Sequence, residues 1–269
     1  MRKIIVLMAA LLGGQAAAAQ QPPAACEALL QERQAMEARL RDWPALGRYR
    51  ESNARLAAGP RDESRVVFFG DSITEFWNLG EFFPGKAYVN RGISGQTTPQ
   101  LLLRFRQDVG ALKPRVVVIL AATNDIAENT GPTTLAAIED NLMSMAELAA
   151  KQEIRVVLAS VLPAARYPWK PEIQPVEKIL ALNAWMKQYA EQEGLVHLDY
   201  YAAMAGEKQG LKAGLSEDGV HPNAAGYAVM GRLAGEAIAR AMGKSVSPRK
   251  PLGDSSPTAP GPARPVVVR

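Results

Sequence analysis

Cysteine and histidine are almost missing from this 269-residue chain, which has Cys26 alone and only His197 and His221. One cysteine excludes an internal disulfide. Two histidines fall short of the ligand set that a two-metal phosphoesterase needs, although Gly-Asp and Asn-Asp pairs of the kind found there do occur. Aromatic residues make up 6% of the chain, and the apolar run within the first nineteen residues is short for a membrane span. Excess positive charge is also missing from the body. The formal charge is +4, but Arg2 and Lys3 at the start and five cations against Asp254 from Lys244 onward more than account for it, leaving the middle at −2. A mildly acidic body gives no reason to expect nucleic-acid binding.

What is present is a globular composition, 48% hydrophobic and 22% charged, in a chain long enough to bury a full core. Residues 1–19, MRKIIVLMAALLGGQAAAA, have a basic start, a short apolar run and an Ala-x-Ala end. They predict a signal peptide cleaved after Ala19, with export to a periplasm or beyond and no stable membrane insertion afterwards. Cys26 lacks the leucine expected upstream of a lipid-modified cysteine, since Pro23-Ala24-Ala25 precedes it. Residues 20–60 read as an N-terminal helical extension packed on the main domain. Leu29, Leu30, Met36 and Leu40 have helical spacing, Pro44 interrupts it, and Gly59-Pro60 closes a second short helix. The tail, 244–269, carries six of the nineteen prolines and predicts disorder.

The main domain, 61–243, alternates two patterns. Apolar runs occupy 66–69, 116–120, 156–161 and 195–198, with a weaker one near Tyr88-Val89, and amphipathic stretches at 97–109, 133–152, 173–193 and 223–242 separate them. This predicts βαβ units, a five-stranded parallel sheet and a three-layer α/β/α sandwich. Sites in such folds lie at the carboxyl ends of the strands. Small and polar residues follow the runs: Gly70-Asp71-Ser72, then Ile93-Ser94-Gly95-Gln96, then Ala122-Thr123-Asn124-Asp125, then Asp218-Gly219-Val220-His221.

A serine nucleophile needs a base, and His221 is the available imidazole, because His197 sits inside the apolar run LVHL. Asp218 is close enough in sequence to orient the other ring nitrogen, although an Asp-x-x-His pair before a helix also reads as an N-cap, with Asn223 an alternative cap. Donors for a developing oxyanion are at hand in the Ser72 N–H, the Gly95 N–H and the Asn124 amide. Asp71 reads as a hydrogen-bonding support of the turn.

These four blocks, in this order, resemble the SGNH hydrolases, a branch of the GDSL esterase/lipase family, over roughly Val66 to Met242. The resemblance implies a flavodoxin-like SGNH fold. It assigns Ser72 as nucleophile, His221 as base, Asp218 as its partner, and Ser72, Gly95 and Asn124 as oxyanion donors. It implies no cofactor and no metal. Two residues depart from the family pattern: Ile73 replaces leucine, and Ala122 stands where glycine is usual, a methyl that is expected to bear on the Asn124 loop. The acid three residues before the histidine and the absence of Gly-x-Ser-x-Gly disfavour the ordinary α/β-hydrolase. The expected function is a secreted serine ester hydrolase acting on short-acyl or O-acetyl esters of small molecules or glycans. The alternatives are a lysophospholipase or thioesterase, and a non-catalytic carbohydrate-binding module on the same fold.

Overall fold

The computed structural model of the protein describes residues 24–243. The predicted signal peptide and proline-rich tail lie outside the described residues. The chain divides after Asp42. Before that point lies α1 (Ala24–Arg41), a helix of its own unit.

The larger unit begins at Trp43 and, besides a 3-10 turn at Gly110–Leu112, contains every other α-helix and every strand of the described residues. In chain order these are α2 (Arg50–Ala58), β1 (Val66–Gly70), α3 (Ser72–Glu75), α4 (Leu79–Phe82), β2 (Tyr88–Gly92), α5 (Thr98–Asp108), β3 (Val116–Leu120), α6 (Thr123–Ile126), α7 (Leu135–Lys151), β4 (Arg155–Ala159), α8 (Val176–Gln192), β5 (Val196–Leu198), α9 (Tyr200–Met204) and α10 (Ala224–Gly243).

The five strands are all parallel, in the order β2-β1-β3-β4-β5. The strand runs are continuously apolar because both sheet faces are covered. Val67, Phe69, Val117, Ile119, Val156 and Leu158 pack under α5, α7 and α8. Their alternating neighbours Val66, Phe68, Val116, Val118, Val157 and Val196 pack under α9 and α10. The period of two along a strand sorts one apolar run into two cores.

The direction of strand addition reverses between β1 and β3, which makes their carboxyl ends the topological switch point. Register sharpens this: Gly70 pairs with both Gly92 and Leu120, so the loops after β2, β1 and β3 leave the sheet at one level. Gly70 is there for close approach. A Cβ at this position would sit 2.2 Å from the Leu120 carbonyl oxygen and 2.4 Å from Thr74 Oγ1, distances no side chain tolerates.

Beneath this edge lies a buried polar network. Arg104 on α5, fully buried, donates to the Gly70 carbonyl at 2.9 Å, to Asp108 at 3.0 Å and to the Gln96 side chain, with its guanidinium 4.2 Å from the Phe69 ring centroid. Asn53 of α2 donates to the other Asp108 oxygen at 2.6 Å and accepts from Arg91 at 2.8 Å. Arg104 and Asp108 form a buried ion pair, and Arg91 is hydrogen-bonded to Asn53, Ser52 and the Asn90 carbonyl, so each buried charge has polar partners.

Candidate active site

Ser72 is the first residue of α3, directly after Asp71 ends the turn from β1. Asp71 is the N-cap: its Oδ1 accepts from the Ile73 N–H at 3.0 Å, satisfying a helix-start donor. This leaves the Ser72 hydroxyl directed away from the cap, where it meets His221 Nε2 at 2.9 Å across 149 residues of sequence.

His221 sits in the loop before α10. Two residues compete in the sequence to cap that helix, and the structure separates them. Asn223 Oδ1 accepts from the Gly226 N–H at 3.1 Å at the start of α10, so Asp218 is free for the histidine. Asp218 Oδ1 accepts from the backbone N–H groups of Val220 and His221, both at 2.8 Å, and Oδ2 meets His221 Nδ1 at 2.6 Å. Burial works to raise the Asp218 pKa. The side-chain and backbone hydrogen bonds from His221 and the backbone bond from Val220 outweigh it and hold the carboxyl well below the usual range. An ionised carboxylate only accepts, so His221 Nδ1 carries a proton and Nε2 is left to accept the proton of Ser72.

The groups expected as oxyanion donors lie in the loops that follow β1, β2 and β3. Gly95 adopts φ +76°, left-handed backbone that favours glycine, in the turn after β2. Among the described residues, neither the Ser72 N–H nor the Gly95 N–H has a hydrogen-bond acceptor. Asn124 lies in α6 after β3, and its Nδ2 is 3.1 Å from the Gln96 carbonyl and 3.4 Å from Asp71 Oδ2. The loop accommodates the Ala122 methyl at a conformational cost: Ala122 takes φ +86°, ψ −12°, the left-handed region. Ser94, next to Gly95, is anchored by Glu75, whose Oε2 accepts from the Ser94 N–H at 2.7 Å and from its hydroxyl.

Two buried carboxyls lie under these donors. Complete burial pushes Asp71 up to about 7, opposed by the Ile73 N–H and by His221, and helped by Asp125. Burial likewise raises Asp125 to about 6, against hydrogen bonds from the Thr98 hydroxyl and N–H. His197, the other histidine, lies in β5, and burial lowers its pKa. No three histidine, cysteine, aspartate or glutamate side chains among the described residues gather into a group able to hold a metal ion.

Two aromatic rings flank His221. Phe76, 58% exposed, has its ring centroid 5.6 Å away, and Trp169, 40% exposed, lies 6.2 Å away. Trp169 sits in a turn closed by the Lys170 N–H donating to the Tyr167 carbonyl at 3.1 Å, with Pro168 at the position where its restricted φ is favourable. Sequence reading did not single out the Asn129 side chain, which bonds both Asn124 and Trp169. Nothing in the local pattern AENTG around it marks a loop asparagine of that kind.

The sequence model of the GDSL-like lipase/acylhydrolase family matches residues 68–229. The chain belongs to this family of carboxylic ester hydrolases. Among solved structures, a Bacteroides fragilis protein assigned as an acylhydrolase is 45% identical, with a TM-score of 0.71, over 74% of this chain and 98% of that one. A GDSL-like lipase from Bacteroides thetaiotaomicron is 46% identical, with a TM-score of 0.70, over the same 74% and 98%. The lipoprotein YqeF of Bacillus subtilis is 31% identical over 117 residues, 36% of this chain, and the match spans 48% of that protein's length.

Proposed function

We propose that this chain is an exported serine ester hydrolase that works through an acyl-enzyme. His221 takes the Ser72 proton as Ser72 Oγ attacks the ester carbonyl carbon. The oxyanion accepts from the Ser72 N–H, the Gly95 N–H and the Asn124 amide. Collapse breaks the bond to the alcohol, which leaves with the proton that His221 held. Water, deprotonated by His221, then releases the acid and restores Ser72.

The observation that carries this reading is the unbroken Ser72–His221–Asp218 series at 2.9 Å and 2.6 Å, beside two backbone N–H groups with no acceptor of their own. Phe76 and Trp169 on either side of His221 favour a small acyl group on a ring-shaped alcohol, such as an O-acetylated sugar, since exposed aromatic faces stack on such rings. The leader-like residues 1–19 and the likeness to a lipoprotein support export. No helix among the described residues is long and apolar enough to cross a membrane.

The test is hydrolysis of p-nitrophenyl esters from acetate to dodecanoate by the protein and by Ser72→Ala. The expected result is turnover that falls as the acyl chain lengthens and drops by at least about 10⁴-fold in the variant. Equal rates in the two proteins would remove Ser72 from the chemistry, and rates rising toward dodecanoate would overturn the short-acyl assignment.

A further inference from the structure

An asparagine amide has two faces of opposite sense. If Asn124 is to donate to an oxyanion, something must keep its NH2 group and not its carbonyl toward the reacting carbon. A flipped amide would set oxygen against oxygen and turn a stabilising contact into a repulsive one. The Gln96 carbonyl, 3.1 Å from Nδ2, opposes the flip from one side. The other side is held by Asn129 and, through it, Trp169, neither of which touches the reacting atoms.

The indole N–H of Trp169 can only donate. It lies 2.9 Å from Asn129 Oδ1, so the Asn129 carbonyl faces Trp169 and its NH2 faces the other way. That NH2 lies 2.7 Å from Asn124 Oδ1, so the Asn124 carbonyl faces Asn129 and its own NH2 is presented on the far side. The backbone supports the same register, with the Asn129 N–H donating to the Asn124 carbonyl at 3.0 Å and Glu128 at φ +56° bringing the loop back over α6. The Lys178–Glu128 pair, at 3.3 Å, ties this loop to α8.

We infer that Asn129 is a positioning residue and Trp169 its anchor. Together they fix the polarity of the Asn124 amide, so that one donor-only indole at the mouth of the site sets which way an oxyanion donor points. Trp169 is also a wall beside His221, so an alcohol ring lying on the indole screens the Trp169–Asn129 bond from water and strengthens it when the oxyanion forms. The inference rests on the reading of the chain as a serine ester hydrolase with Asn124 as an oxyanion donor.

The sharpest test is Asn129→Asp. A carboxylate accepts only, so Asn124 would turn its NH2 toward residue 129 and its carbonyl toward the site. Steady-state hydrolysis of p-nitrophenyl acetate is measured on the pH plateau for Ser72→Ala, Asn124→Ala, Asn129→Asp, Trp169→Phe and the Asn124→Ala/Asn129→Asp double variant, with thermal unfolding of each. The expected result is a kcat loss for Asn129→Asp that approaches that of Asn124→Ala, about 10²–10³-fold, with KM within about threefold. Asn129→Asp then adds no further loss in the Asn124→Ala background. Trp169→Phe removes the donor N–H together with part of the indole while keeping an aromatic face, and about a tenfold loss of kcat with an unchanged melting temperature is expected, whereas lost stacking alone would raise KM and leave kcat in place.

Losses that multiply in the double variant, or an unchanged kcat in both Asn129→Asp and Trp169→Phe while Asn124→Ala is impaired, would overturn the inference and leave the ester hydrolase standing. Full activity in Ser72→Ala would overturn both. If Asn129→Asp fails to fold, Trp169→Phe decides through its kcat, because a misdirected Asn124 amide lowers kcat whereas a lost stacking face raises KM.

Discussion

Asp218 divides its two oxygens between two tasks: Oδ1 closes the backbone turn through Val220 and His221, and Oδ2 fixes the imidazole. Asp218→Asn separates them. The amide oxygen can keep the turn, but an NH2 in place of Oδ2 cannot accept from Nδ1, so the proton moves to Nε2 and the base is lost to Ser72. Asp218 is 42% exposed at its side chain, so water replaces part of the missing acceptor. The expected loss in kcat/KM is roughly 10²–10⁴-fold with an unchanged fold. A loss under about tenfold would mean that solvent, not Asp218, orients His221. Ala122 makes a smaller case. Its left-handed backbone costs about 1–2 kcal/mol, whereas glycine would surrender about 0.8 kcal/mol of methyl burial and add about 0.5–1 kcal/mol of unfolded-state entropy. These terms nearly cancel, so Ala122→Gly is expected to move stability by less than about 1 kcal/mol, as urea unfolding would read.

Among the elements, α5 does more than cover a sheet face. Through Arg104 it holds the last carbonyl of β1 and the Gln96 side chain next to Gly95, so one helix braces both the Ser72 turn and the Gly95 loop. Arg104→Met fills similar space but leaves Asp108 buried with Asn53 as its remaining partner. Stripping one member from a buried ion pair typically costs about 3–5 kcal/mol, more than the added apolar burial returns. Chemical denaturation is expected to show a loss of that size, together with a fall in kcat at temperatures where the variant is still folded. A variant as stable as the parent would mean that Asp108 is satisfied without the guanidinium.

At the scale of the whole molecule, the buried carboxyls set a pH dependence. In an unfolded chain aspartates titrate near 4. Folded, Asp71 lies at about 7 and Asp125 at about 6. Folding favours their protonated forms, so their contribution to stability is fully present below about pH 4 and is lost as pH rises through 6 to 7. Asp218 acts in the opposite sense: its lowered pKa contributes above about pH 4 and is lost in acid. Stability is therefore expected to decline from pH 5 to pH 8, and to decline less in Asp71→Asn, which has no charge to bury. Urea unfolding at the two pH values checks this, and equal slopes in the two proteins would count against burial of the Asp71 charge.

The sheet, its covering helices and the four blocks at the strand ends were legible in the linear chain. A strand buried on both faces must be continuously apolar, a covering helix must repeat near 3.6, and a sharp turn needs small or polar residues. Those requirements act within a few residues, so they leave a local mark. The short helices α3, α4, α6 and α9 left none, because four or five residues are too few to show a period. The sequence itself determined the fold class and the residue types of Ser72, Gly95, Asn124, Asp218 and His221. The tertiary structure alone decided that Asn223 and not Asp218 caps α10, that Arg104 is buried under the nucleophile turn, and that Trp169 and Asn129 reach Asn124. Each of these depends on which of several equally able polar partners comes within hydrogen-bond distance. For Arg104 and Trp169 that is a matter of distance between segments far apart in the chain, and for Asn223 it follows from Asp218 being taken up by His221, so no periodicity or spacing encodes it.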